Sequence, residues 1–308
     1  MMNSVTFKSD TILLTTAIIW GFAFVAQRVG MDYIGPFLFN GIRFALGCLV
    51  LLPLMIKTRR GSDNRSTSDN PEYVKTLVAG SAAAGLMLFG GASLQQVGLV
   101  YTTAGKAGFI TGLYVVIVPL LALFFGQRST TGSWTGAILA SAGLYLLSVS
   151  QQFTIAFGDF LVLLCAVFFA GHVLIIGWLS PKMNSYRLAF IQYATCSVLS
   201  LIVAVLYENL SMNGMIRAAV PILYGGVMSV GIAYTLQVIG QRRAHPAHAA
   251  IILSLESVFA ALGGWFLLNE TMSLRQVSGC TLMLFGMLVS QLWIFMTEWK
   301  HAYIPNDS

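Results

Sequence analysis

Glu256 stands near the middle of PAHAAIILSLESVFAALGGWFLLNE, residues 246–270, a stretch that is mostly apolar. A carboxylate facing lipid costs roughly 3 kcal/mol or more, so intramembrane acids point into protein or a water-filled cavity. Glu256 is therefore a candidate proton or substrate-cation site. The alternative is a structural acid bonded to a neighbouring helix. Glu256, Ala260 and Gly264 follow at four-residue steps and share one helix face. Small residues on such a face let a neighbouring backbone approach closely.

Few other residues could do chemistry. Lys106, beside Gly105 and Gly108, could meet a substrate carboxylate, pair with an acid across the chain, or snorkel to the outer surface. Arg43, with Asn40 one turn before it, could hold a carboxylate through two parallel hydrogen bonds or tie off backbone carbonyls near a helix end. His172, in FFAGHVLII, could relay protons or serve structure. Trp20, followed by Gly21, is a site for helix bending and aromatic lining, and Tyr114 and Tyr234 are placed for a similar role. Tyr193 is similarly placed but not selected. Gln95, Gln96, Gln192 and Gln237 could line a path or bond between helices. His245 and His248 lie beside Arg242 and Arg243 and read as surface residues. Cys48, Cys165, Cys196 and Cys280 fall in apolar runs without CxxC spacing, as free buried thiols do. No HExxH or other metal spacing occurs, and no cofactor or metal is expected.

These residues sit in a chain of 308 residues that is 57% hydrophobic and 9% charged, with a mean hydropathy of +0.79. Soluble domains carry about 25% charged residues, so this composition belongs to the membrane class. Ten apolar segments are expected as membrane helices: 11–29, 36–56, 74–97, 101–126, 132–150, 158–179, 187–207, 218–240, 247–268 and 274–297. Each is near the ~17–25 residues a spanning helix needs. The one long polar connection, 57–73, reads as a loop. Nothing at the N-terminus has the form of a cleavable signal peptide. Lys8, Lys57, Arg59, Arg60, Arg65, Lys75, Arg128, Lys182, Arg187, Arg242, Arg243 and Lys300 gather on one side of this topology. Arg28, Arg217 and Arg275 fall on the other. The bias predicts both termini in the cytoplasm. The basic loops are thereby an orientation signal, not nucleic-acid sites.

The stretch at 246–270 has a relative. With a shift of 143, residues 103–127 lie over it: Ala104 meets Ala247, Ala107 meets Ala250 and Gln127 meets Glu270. Beyond the helix, Gly136 meets Gly279, Leu139 meets Leu282 and Gly143 meets Gly286. The match suggests a duplicated chain, 1–150 and 151–308, with loop 57–73 inside the first half. Five helices per half is an odd number, so the second half enters the membrane from the opposite side. Inverted repeats of this kind place a substrate site near the midplane and rock about it.

The sequence resembles the drug/metabolite transporter superfamily, in its branch with two EamA repeats. The residues that carry the resemblance are Trp20-Gly21; Pro36, Asn40 and Arg43-Phe44; Tyr101-Thr102-Thr103-Ala104; Leu255-Glu256-Ser257-Val258-Phe259-Ala260-Ala261; and Asn269-Glu270. Many relatives have Pro where Ser257 stands and Gly where Asn269 stands. Without that Pro the ninth helix is expected to be straighter, although Pro119 remains in its first-half counterpart. The resemblance implies an all-α, ten-helix bacterial inner-membrane carrier of small organic metabolites, usually an exporter. Characterised relatives move amino acids, including aromatic ones, and eukaryotic cousins move nucleotide sugars and sugar phosphates.

The leading reading is thus a secondary transporter, not an enzyme. No GxxxxGK[ST] loop is present, so energy would come from a proton gradient or the substrate's own gradient. Glu256, His172 and Lys106 are the candidates for proton coupling. A membrane enzyme acting on a lipid-linked substrate is the alternative, but the chain shows no recognisable catalytic set. A channel would need a polar ring or selectivity sequence, and none is seen. Monomer and homodimer both remain open, as do import and export.

Overall fold

A hydrocarbon environment offers no water to backbone groups, so a spanning chain must bond its own amides, and helices do so. The computed structural model describes residues 4–61, 71–123, 131–148, 155–244 and 246–303, and these are helical almost throughout. The elements are α1 (Ser4–Gly30), α2 (Pro36–Gly61), α3 (Pro71–Tyr101), α4 (Ala104–Gly112), α5 (Tyr114–Leu123), α6 (Thr131–Ser148), α7 (Phe157–Leu179) and α8 (Ser185–Tyr207). Short helices α9 (Met212–Arg217) and α10 (Ala219–Leu223) lead into a π-helix, Tyr224–Tyr234, continued by α11 (Thr235–Gln241). The chain ends with α12 (Pro246–Ser254), α13 (Glu256–Leu268) and α14 (Leu274–Tyr303). Proline opens α2, α3 and α12, where its missing N–H costs nothing. Asn184 caps α8 by accepting from Tyr186 N and Arg187 N.

Among the described residues, eight helical stretches are long and apolar enough to cross a membrane. They match eight of the ten expected segments. The other two segments, 132–150 and 274–297, are helical as α6 and α14 over their described parts. The polar connection is shorter than expected: 57–61 continue α2 and 71–73 begin α3, while 62–70 lie outside the described residues. Gln127 and His245 lie outside them too.

Two features were not expected. The fourth and ninth segments are each interrupted, at Leu113 and Leu255. The local bonding is the same in both. Leu113 N donates to Ile110 O and Val116 N to Leu113 O; Leu255 N donates to Ile252 O and Val258 N to Leu255 O. Both are three-residue steps inside α-helices. The ninth segment thus has a local three-residue step at Leu255, two residues before Ser257. The breaks are 142 residues apart, one fewer than the shift read from the sequence. The second feature is the π-helix, a rare form that is frequent at functional sites. Gly226 and Gly231 in it lie against Leu46 and Val50 of α2, so the absence of side chains admits the neighbouring helix.

α6 packs along α14 through paired glycines. Gly143 lies against the Gly279 carbonyl, and Gly286 lies against that of Gly136. A Cβ on Gly143 would meet Gly279 O at 2.6 Å and Met283 N at 2.7 Å, both backbone atoms. Gly143→Val is expected to destabilise by about 1–3 kcal/mol, as overpacking does. Gly171→Ala, where the nearest atom is Met87 Sδ at 3.5 Å, is expected to be neutral. Thermal unfolding of the two variants in detergent checks the contrast.

The helix order fixes two ends. α1 and α3 run from the end that holds the N-terminus, the near end, to the far end. α4 and α7 begin at the far end, and α12 begins at the near end.

Candidate functional site

A cavity opens at the level of the two helix breaks. Its walls come from both halves: Trp20, Phe24 and Gln27 of α1, Arg43 of α2, and Glu256 of α13. The π-helix contributes Ser229 and Tyr234, and α7 contributes His172 and Phe169. The void has about 30 Å³ of room for the centres of water-sized molecules. One water needs roughly 10–15 Å³ on this measure, so the cavity holds a few waters and no metabolite. A substrate enters only if one end opens.

Five of the eight residues singled out in the sequence line this void: Glu256, His172, Arg43, Trp20 and Tyr234. Arg43 is 2% exposed. Its Nε donates to Asn40 Oδ1 at 2.9 Å, and Asn40 Nδ2 donates in turn to Ala92 O at 3.0 Å. The guanidinium also lies over the Phe44 ring at 5.0 Å. Among the described residues no ion pair involves Arg43, and no backbone carbonyl accepts from it. It is a buried cation with donors to spare. Glu256 is the opposite case: a carboxyl 4% exposed, in no ion pair among the described residues, with the buried Tyr114 hydroxyl beside it.

Aromatic rings and amides fill the space around these two. Tyr234 packs against Trp20 at 4.5 Å between centroids and edge-on to His172 at 6.2 Å. Trp20 Nε1 donates to Ser229 O at 3.3 Å, tying α1 to the π-helix. His172 Nε2 and Gln192 Oε1 lie 2.7 Å apart, a hydrogen bond joining α7 to α8. Gln95 donates to Thr111 Oγ1 at 3.1 Å, and both line the cavity with Gln237. Gln96 instead donates to Gln27 O.

Asn40 and Tyr114 stand behind the lining. Lys106 is not brought to the cavity. Its Nζ lies 2.5 Å from Asp159 Oδ2 at the far end, and Thr102 Oγ1 donates to Asp159 Oδ1 at 2.6 Å. Of the alternatives weighed for Lys106, the pairing with an acid across the chain is the one formed. His248, read as a surface residue, also has a partner: its Nε2 lies 2.8 Å from Asp10 Oδ1.

Sequence reasoning passed over three acids at the far end. Asp159 is one. Glu270 accepts from Ala104 N at 2.7 Å and Gly105 N at 3.0 Å, capping α4. Glu208 accepts from Phe37 N and Leu38 N, both at 2.8 Å, capping α2. An acid near a helix N-terminus is favoured by the orphan amides and the helix dipole. The signals available were Asp159 in the first turn of an apolar segment and Glu270 in the Asn269-Glu270 motif. Asn269, beside Glu270, has φ 53° and ψ 32°, a left-handed C-cap that Asn tolerates and Gly favours.

The chain is similar to known proteins over nearly its whole length. The model of the EamA-like transporter family matches residues 7–149 and again 156–292. An uncharacterized transporter of Archaeoglobus fulgidus is 32% identical over 285 residues, covering 92% of this chain and 86% of that protein. The uncharacterized transporter YoaV of Bacillus subtilis is 22% identical, covering 90% and 94%. A chloroplastic WAT1-related protein of Arabidopsis thaliana is 24% identical, covering 91% and 68%. A crystal structure at 21% identity superposes with a TM-score of 0.68 over 94% of this chain and 99% of that one, a likeness of fold.

Proposed function

Because this chain belongs to the EamA-like transporter family, we propose that it is a secondary carrier of small zwitterionic metabolites, amino acids first among them. The observation that carries this is the pair Arg43 and Glu256, opposite in charge, each without an ion-pair partner among the described residues, on one cavity. A buried charge without a partner is costly, and a ligand that supplies the counter-charge removes that cost. An amino acid brings a carboxylate for Arg43 and an ammonium for Glu256. Trp20, Phe24, Phe169 and Tyr234 then face the side chain, a lining suited to apolar and aromatic cargo. When the cavity is empty, Glu256 can carry a proton instead, which would couple flux to a pH gradient.

The architecture that serves this reading is two inverted five-helix repeats, 1–150 and 151–308. The paired helix breaks and the reciprocal glycine contacts of α6 and α14 support it. In a two-fold arrangement, if Gly143 meets Gly279, the equivalent pair is Gly286 with Gly136, as observed. Discontinuous helices in corresponding positions of two halves mark the binding site of such carriers. We place the chain in a bacterial inner membrane with both termini cytoplasmic, by the distribution of Lys and Arg. On this reading its direction is export.

The test is flux in proteoliposomes loaded with a panel of radiolabelled amino acids, nucleotides and sugars, with and without an imposed pH gradient. The expected result is flux of amino acids, fastest for apolar and aromatic ones. Flux of sugars or nucleotides without amino acids would overturn the zwitterion reading.

A further inference from the structure

A Lys–Asp ion pair and a His–Asp contact stand at opposite ends of the molecule, and they correspond. Asp10 and Asp159 each lie in the opening turns of the first helix of a matched stretch. Those stretches begin at residues 7 and 156, so each Asp is the fourth residue. Lys106 and His248 are each the third residue of an interrupted helix, α4 beginning at Ala104 and α12 at Pro246. Asp159 pairs with Lys106 at the far end and Asp10 with His248 at the near end. Each pair joins a helix of one half to a helix of the other. The cavity lies between them.

The pairs differ in strength. At the far end, Asp159 is fully buried and Lys106 15% exposed. Removing one partner there leaves the other charge buried and uncompensated. The far end is also held by Glu270 on the α4 amides and Glu208 on the α2 amides, both contacts running between halves. At the near end His248 and Asp10 are 37% and 25% exposed. Pairs so open to solvent contribute little.

We propose that Lys106–Asp159 and Asp10–His248 are the latches of two gates on the same cavity, and that the stronger far-end latch makes the empty carrier open first toward the end holding its N-terminus. This rests on the alternating-access reading and assigns Lys106 a gate where the sequence also allowed a substrate contact. Opening at the near end loads cargo from the side of the termini. The far gate then opens only when the contacts between halves rearrange around the cargo.

The test reads accessibility and needs no substrate. A Ser229→Cys variant places a thiol on the cavity wall, with the native chain as the blank for its four cysteines. A membrane-impermeant maleimide is applied from each face in oriented vesicles. Labelling is expected to be faster from the near end. Lys106→Gln is expected to raise far-end labelling about tenfold, a population shift between two states. Asp10→Asn raises near-end labelling only. The exchange Lys106→Asp with Asp159→Lys returns far-end labelling to its starting value, which separates a lost latch from a misfolded chain. Labelling that responds to none of these substitutions overturns the latches while leaving alternating access standing. Absence of labelling from both ends in every variant overturns alternating access itself.

Discussion

Glu256→Gln is expected to abolish flux driven by a pH gradient and to leave the fold intact. Glutamine keeps the shape of the carboxyl but holds no charge and releases no proton. The carboxyl faces the cavity at 4% exposure, and among the described residues no cation pairs with it. Neutralising such a group removes a desolvation cost, so thermal stability in detergent should be equal or higher. Function should suffer far more. A hydrogen bond to a charged group contributes about 1.5–3 kcal/mol, and its loss corresponds to a fall of roughly 10- to 100-fold in affinity for an ammonium.

The two roles of Glu256 separate in one assay. Exchange of labelled for unlabelled amino acid across the membrane needs no net proton movement. If Glu256 carries only the coupling proton, Glu256→Gln retains exchange and loses gradient-driven accumulation. If it also holds the substrate ammonium, exchange falls as well. Gradient-driven accumulation at native rates in the variant would make Glu256 a structural residue, and His172 would be the next group to test.

How much of this was legible in the chain depends on how rare each signal is. Charged residues in long apolar runs are rare, so Glu256, Arg43 and His172 stood out, and the structure gathers all three around one cavity. Trp20 and Tyr234 were selected from many aromatics by their mid-helix position. Thr111, Gln27 and Phe24 line the same cavity but belong to types that membrane helices hold everywhere, and nothing local distinguished them. The far-end acids were illegible for another reason. Asp159, Glu208 and Glu270 sit at helix ends, where an acid is unremarkable, and their partners are 57, 171 and 166 residues away in sequence.

The helices themselves followed from apolar length, since a bilayer leaves the backbone no alternative. The breaks at Leu113 and Leu255 did not. Neither position holds Gly or Pro, and Pro119 lies within α5, beyond the break. The same bonding recurs at the two sites, and Ser257 Oγ donates to Gly108 O at 2.9 Å where α13 crosses α4. The π-helix was not legible either. Its glycines reported close packing, not the extra residue in each turn.

Arg43→Met is expected to abolish transport of carboxylate-bearing substrates, and Arg43→Lys to weaken it by roughly 10- to 100-fold. The guanidinium presents its donors as a rigid fork matched to a carboxylate, whereas lysine offers a single mobile point of charge. Asn40 holds Nε and Phe44 lies under the plane, so the group is oriented before any ligand arrives. Methionine fills similar volume without the buried charge, so the empty variant should be as stable as the native chain or more so. A ligand that binds the folded state raises its melting temperature, and this rise should disappear in Arg43→Met. An amino-acid amide, which lacks the carboxylate, supplies the converse: it should compete poorly for the native carrier and no worse for Arg43→Met. Native affinity for amino acids in Arg43→Met would show that the cation only braces α2 against the π-helix. Discrimination between acid and amide that vanishes with the guanidinium would place the substrate carboxylate on Arg43.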